Sequence, residues 1–110
     1  MVSIYKNAQV QGTASTTTYA TLYSTPALKT AVCSTLAICN TATADATYRI
    51  AIMASVGTPA AANWLIYDAT VAANDSTFIT VGVALAAGDV IRVSSSANTV
   101  TFTAMVAEIS

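Results

Sequence analysis

Val100-Thr101-Phe102-Thr103-Ala104-Met105-Val106, near the end of the 110-residue chain, alternates with a period of two. Val100, Phe102, Ala104 and Val106 fall on one side of an extended backbone; Thr99, Thr101, Thr103 and Met105 fall on the other. One side is apolar and the other half polar, the pattern of a strand that packs on a core and turns its back to solvent. The predicted strand runs from Asn98 to Ile109. Working backwards, similar runs rich in Val, Ile, Thr and Tyr predict strands at Asp89–Ser94, Thr77–Val81, Asn63–Thr70, Thr47–Ser55, Lys29–Asn40, Thr17–Ser24 and Ser3–Val10. In Thr47–Ser55, Tyr48, Ile50 and Ile52 share a face, and Thr17–Ser24 stops before Pro26. There is no helical stripe, and Ala60 to Ala62 can form at most a turn. About eight short strands with short connections imply an all-β fold. Residues 1–110 are expected to form one domain, a two-sheet antiparallel β-sandwich that is jelly-roll-like.

The predicted loops are Thr41–Asp45, Val56–Ala62, Val71–Ser76, Gly82–Gly88 and Ser95–Ala97. Gly88 can take a positive φ without steric cost, and Asp89 can then bond the turn backbone and launch the next strand. The Lys29–Asn40 strand carries apolar residues on both faces. Val32, Leu36 and Ile38 form one set; Ala31, Cys33, Ala37 and Cys39 form a second, smaller one. A strand buried on both faces is central or lies at a subunit contact.

Hydrophobic residues make up 55% of the chain and charged residues only 8%. A folded chain of this mass exposes roughly 5,700 Å², so its few charges are spread thinly. The simplest explanation is that other subunits cover much of that surface; the alternative is a surface rich in Thr, Ser and Asn. Lys6, Lys29, Arg49 and Arg92 are scattered and the net charge is −1, which argues against neutralising nucleic-acid phosphates. The stretch from Ile50 to Tyr67 carries no charge, but Gly57-Thr58-Pro59 and Asn63 interrupt it. Two strands and a loop fit it better than a membrane span. The first residues lack the apolar core of a signal peptide, so synthesis in a cytosol is expected, with Cys33 and Cys39 as free thiols. Six residues apart on one strand, they are separated by roughly 20 Å, whereas a disulfide needs about 7 Å or less. They read as small core residues pointing the same way.

Catalytic chemistry has little to work with. The chain has no histidine, which removes the commonest general base and metal ligand. Asp45, Asp68, Asp75, Asp89 and Glu108 sit at predicted loops, strand ends or the chain end, where solvation or turn capping accounts for them. Gly12, Gly57, Gly82 and Gly88 form no phosphate-binding loop. Asp68, Asn74 and Asp75 could offer oxygen ligands to calcium, but the spacing matches no EF-hand and a turn at Asn74-Asp75-Ser76 is the simpler reading. No catalytic residue, cofactor or metal is expected. Trp64 and Tyr67, predicted on opposite faces of their strand, are candidate exposed aromatic contacts; with Tyr5, Tyr19 and Tyr23 they could build a sugar-stacking platform.

An ordered set of short motifs carries a resemblance. Leu22-Tyr23-Ser24-Thr25-Pro26-Ala27 is followed by Ala37-Ile38-Cys39-Asn40-Thr41 and Thr47-Tyr48-Arg49-Ile50-Ala51-Ile52. Leu85-Ala86-Ala87-Gly88-Asp89-Val90-Ile91-Arg92-Val93 and Thr101-Phe102-Thr103-Ala104 follow, with Glu108-Ile109 closing. Together they resemble the small β-sandwich domains of tailed-bacteriophage virion proteins: capsid cement or decoration proteins and pieces of tail, baseplate and fibre. The resemblance implies a structural protein without catalytic residues, often trimeric. The expectation is a free-standing decoration protein on the outer capsid surface, made in the bacterial host cytoplasm. It would bridge subunits of the major capsid protein and stabilise the shell. The alternative is a tail, baseplate or fibre component that binds a receptor glycan. A homotrimer is expected, with Ala31, Cys33, Ala37 and Cys39 as its candidate interface, and a symmetric dimer is the runner-up.

Overall fold

The period-two runs become two sheets in the computed structural model, which describes residues 3–55 and 57–110. Val56, inside the expected 56–62 loop, and the first two residues lie outside the described residues. The strands are β1 (Ser3–Gln11), β2 (Ala20–Ser24), β3 (Thr30–Asn40), β4 (Ala46–Met53), β5 (Trp64–Val71), β6 (Asp75–Leu85), β7 (Val90–Ser95) and β8 (Val100–Ile109). One 3-10 turn, Ala61–Asn63, precedes β5. Asn63 ties that turn back by donating from Nδ2 to the carbonyl of Ile52, 3.1 Å away. The first sheet, sheet A, has the order β1-β8-β3-β6; the second, sheet B, has β2-β7-β4-β5. All pairings are antiparallel. Only β4 and β5 are consecutive strands paired within one sheet, so the chain otherwise crosses between sheets at each step. This is the jelly-roll winding of an all-β sandwich.

The core lies between the sheets. Val100, Phe102, Ala104 and Val106 of β8 are all buried, as their phase predicts. They meet Leu36 and Ile38 of β3 and, across the gap, Tyr48, Ile50, Ile91 and Val93 of sheet B. Phe102 and Tyr48 pack edge to face at 6.2 Å between ring centroids. The folded chain exposes 5468 Å², close to the area expected from its mass. No helix among the described residues is long and apolar enough to cross a membrane.

Three local expectations are corrected. β2 begins at Ala20 rather than Thr17, because residues 15–18 form a turn closed by Thr18 N donating to Ser15 O. β6 reaches Leu85, past Gly82, because Val81, Val83 and Leu85 keep the inward phase. The third correction concerns β3. Its register with both neighbours shifts between Cys33 and Thr35. This bulge reverses the phase of the strand. Ala31 and Cys33 point inward before it, and Leu36, Ile38 and Asn40 point inward after it. The four small residues expected on one face are therefore split. Ala31 and Cys33 belong to the internal core, and Ala37 and Cys39 are half-buried on the outside of sheet A.

Candidate functional site

Two buried polar groups sit at the two ends of the sandwich. At one end the inward phase of β8 brings in Glu108, which is 1% exposed. The reading of this acid as a solvated chain-end group is corrected: β8 continues pairing to Ile109, so Glu108 stays in phase with the core. The Tyr23 hydroxyl, from sheet B, donates to its Oε2 at 2.5 Å. The Lys6 ammonium lies 3.0 Å and the Lys29 ammonium 3.8 Å from its Oε1. The Tyr23 hydrogen bond, then Lys6, holds the Glu108 carboxyl below its ordinary range. Burial and the adjacent carboxylate push the Tyr23 phenol up. At the other end Asn40 donates from Nδ2 to Ala44 O at 2.8 Å and accepts at Oδ1 from Ala42 N at 3.1 Å. Both groups close the core; neither opens to a cleft.

On the outside of sheet B, charge and aromatic rings are gathered under the segment that joins β1 to β2. Arg49 donates from Nε to Asp68 Oδ1 at 2.6 Å and from Nη2 to Oδ2 at 3.1 Å, a bidentate pair. Its guanidinium stands 4.1 Å from the Tyr67 ring centre and 5.6 Å from that of Trp64. The hydrogen bond to Arg49 holds the Asp68 carboxyl below its usual range. Trp64 packs edge-on to Tyr67 at 5.0 Å and against Tyr19 at 5.9 Å. Trp64 and Tyr67 thus meet, although three residues along a regular strand would oppose them. The β4–β5 register shifts within this stretch, and Asp68 takes a left-handed φ of 53°. Above the cluster the joining segment is pinned by its carbonyls. Ser94 Oγ donates to Thr16 O at 2.9 Å, and Arg49 Nη1 and Arg92 Nη2 reach Thr16 O and Tyr19 O. Tyr67 is 56% exposed, but one face of its ring is occupied by Arg49. The rings are steeply inclined to one another and do not form a flat stacking platform.

The outside of sheet A is different. Its outward rows run Tyr5–Ala107–Val32–Ala84, then Asn7–Met105–Thr35, then Gln9–Thr103–Ala37–Phe78, then Gln11–Thr101–Cys39–Ser76. None of these residues is Asp, Glu, Lys or Arg. Tyr5 is 83% and Phe78 68% exposed. Tyr5, Asn7, Val32, Ser34, Met105 and Ala107, with Lys6 and Val106, line a shallow hollow. Lys6 lies on the inward phase, drawn to Glu108, and its half-exposed side chain borders the hollow without joining the outward rows. Val32, Phe78 and Met105 were not singled out from the sequence as a surface, and Tyr5 was grouped with Trp64, Tyr67, Tyr19 and Tyr23, from which the structure separates it, as it separates the buried Tyr23. The available signal was a large apolar residue on the polar phase of a strand whose other phase already supplied core.

The residues weighed against a turn as calcium ligands have other roles. Asp68 is engaged by Arg49, and Asn74 occupies a left-handed turn position at φ 54°. Among the described residues there is no group of three or more His, Cys, Asp or Glu that could hold a metal ion. Cys33 and Cys39 are both free. Burial pushes the Cys33 thiol up, which keeps it protonated and inert.

No protein-family model and no curated protein sequence matches the chain. Among solved structures, its fold is similar to a chain of the T13 particle of IBDV, an icosahedral virus. The TM-score is 0.59 at 7% identity over 96% of this chain and 30% of that one. It is also similar to a chain of the infectious bursal disease virus Gx strain. There the TM-score is 0.50 at 9% identity, over 98% of this chain and 37% of that one. The chain spans about a third of the length of these neighbours. What is shared at such low identity is the fold, an all-β sandwich found within chains of a virus particle.

Proposed function

We propose that this protein is a non-catalytic structural component of a bacteriophage virion: a capsid decoration, or cement, protein that seats on the outer shell through the outside of sheet A. The observation that carries the reading is that face, broad, regular and without a charged side chain, on a jelly roll of the kind built into virus particles. Nine registered residues on β1 and four strands span roughly 30 by 19 Å, a flat footprint of about 570 Å². Side-chain relief raises that towards the ~800 Å² per partner of a standard protein contact. An uncharged face suits an equally uncharged patch of coat protein, where no ion must be desolvated. Binding the assembled shell and not its dissociated subunits would stabilise the shell by mass action. The phage assignment rests on the sequence motifs quoted above.

Heating particles with and without the protein tests the reading. A higher disruption temperature with the protein supports it, and equal temperatures count against it. Hundreds of copies per particle fit a shell protein, whereas a small multiple of three or six fits the tail. The expected homotrimer retains only Ala37 and Cys39 of its four proposed contact residues on the outside. The tail or fibre alternative draws on the exposed Tyr67 beside Trp64. Loss of glycan binding in a folded Trp64→Ala variant would favour it.

A further inference from the structure

The sandwich has four edge strands, β1 and β6 in sheet A, β2 and β5 in sheet B. Each edge leaves a row of backbone N–H and C=O groups without a neighbouring strand, and such rows need protection from pairing with other chains. Three of the four edges have it. β1 carries Lys6 at its middle. β2 is five residues long, its register with β7 is broken by a bulge, and Pro26 follows it closely. β5 carries Asp68, and its pairing with β4 is interrupted twice.

β6 lacks these devices from Ser76 to Thr80; its own register shift with β3 lies beyond, between Thr80 and Val83. It is eleven residues long, with Asp75 at its first position and no charge or proline from Ser76 to Leu85. Phe78 stands on its outward side, 68% exposed. Its pairing with β3 is continuous from Asp75 to Thr80 before the irregularity opposite Cys33 and Thr35. Gly82 follows, and a Cβ built there meets no atom within 4 Å. A bare glycine on an exposed strand leaves room for another backbone to approach.

We propose that β6 is a self-association edge: two copies pair β6 against β6 in antiparallel register about a two-fold axis, joining two A sheets into one eight-stranded sheet. A second copy is the occupant that the charge pattern favours. Two-fold apposition of β1 would bring Lys6 ammonium groups together, and of β5 Asp68 carboxylates; β6 from Ser76 onward brings only neutral residues together. An isologous contact of this kind closes on itself and leaves no free β6 edge. Phe78 and its copy then lie on the same outward face, extending the uncharged surface across the axis. The inference concerns the isolated protein and stands apart from the virion reading.

Sedimentation from micromolar to millimolar protein tests it, with amide hydrogen exchange followed in parallel. The wild type is expected to move from 11.2 kDa to twice that mass as concentration rises. Alternate amides between Ser76 and Thr80 should slow together with that change. Thr80→Lys is expected to weaken the dimer by at least about tenfold, about 1.4 kcal/mol. Gly82→Lys, which meets open space in the monomer, should do the same with an unchanged β-type circular dichroism spectrum. Met105→Lys, on the interior strand β8, should leave the dimer intact. A monomer throughout the range overturns the proposal. So does a trimer, a dimer indifferent to both β6 lysines, or a dimer broken by Met105→Lys, which would mean face-to-face packing. None of these outcomes requires a shell, so failure here is separable from failure of the decoration reading.

Discussion

The two outer faces of the sandwich enclose the same core but solve opposite problems. Sheet B is roofed by the segment between β1 and β2, whose carbonyls are held by Ser94, Arg49 and Arg92. Charges are present there, each engaged by a partner within the same chain. Among the described residues sheet A has no such roof, its outward rows carry no charged side chain, and Tyr5, Phe78, Val32 and Met105 are left to solvent. Low overall charge is therefore not spread evenly over the molecule. It is gathered into internal pairs on one side and absent from the outward rows of the other, the face on which the proposed shell contact is placed.

The largest effect should come from the interior that both faces share. Phe102→Ala removes a side chain that is 1% exposed and touches Tyr48 of the opposite sheet. A loss of about 3–5 kcal/mol is expected, read as a fall in the urea midpoint. A loss below about 1 kcal/mol would mean the sheets are not packed as described.

The next test attacks the roof of sheet B. Gly12 N donates to Val100 O at 2.6 Å, and a Cβ at Gly12 would lie 2.5 Å from that same carbonyl and collide with the Ser95 hydroxyl. Gly12→Ala should cost about 1–3 kcal/mol through overpacking and loosen the roof, shifting Trp64 fluorescence to the red. Ser94→Ala, which removes only the bond to Thr16 O, should cost about 1 kcal/mol. If both variants leave Trp64 emission unchanged, the roof is not what covers that ring.

The buried cluster inside sheet A should show itself in the pH dependence of stability. The Glu108 carboxyl is held below its ordinary 4.5, first by Tyr23 and then by Lys6. Its contribution is full above pH 4.5 and is lost as pH falls through the lower folded-state value. The Tyr23 phenol is pushed above its ordinary 10.0. That contribution is full below pH 10.0 and is lost as pH rises towards the folded-state value. Urea midpoints across pH should therefore fall at both ends, and Glu108→Gln should make both limbs shallower. Limbs as steep as in the wild type would remove Glu108 as their cause.

A smaller effect separates the two cysteines. Cys39, half-buried on the outside of sheet A, should react slowly with a thiol reagent in the native protein, and Cys33 only after unfolding. Equal native reactivity would contradict the phase reversal at Ser34 and Thr35.

That reversal marks the limit of what periodicity can convey. β8 was legible because ten residues keep one phase and their inward set is apolar from Val100 to Val106. The turn at Gly88, with φ 87° and Asp89 Oδ2 accepting from Ala86 N, was legible because its chemistry is local. The β3 bulge was not, since Ser34 carries no sign of it and both phases of the strand hold small apolar residues. The contact of Trp64 with Tyr67 depends on irregular β4–β5 pairing, which only the partner strand imposes. Glu108 looked like a solvated end residue because its partners, Lys6, Tyr23 and Lys29, are distant in sequence and converge only after the sheets close. The uncharged outward rows were invisible for the same reason: each strand contributes three or four neutral residues, and their union appears only with strand order.

The most direct test of the account asks whether the bare side of sheet A is the side that seats the protein on a shell. Cosedimentation with purified capsids lacking this protein would compare wild type, Met105→Lys and Tyr67→Ala, each checked for an unchanged β-type circular dichroism spectrum. The account predicts that wild type and Tyr67→Ala pellet with the shells while Met105→Lys remains in the supernatant. Met105→Lys pelleting as well as wild type, or Tyr67→Ala alone losing the shell, would contradict it.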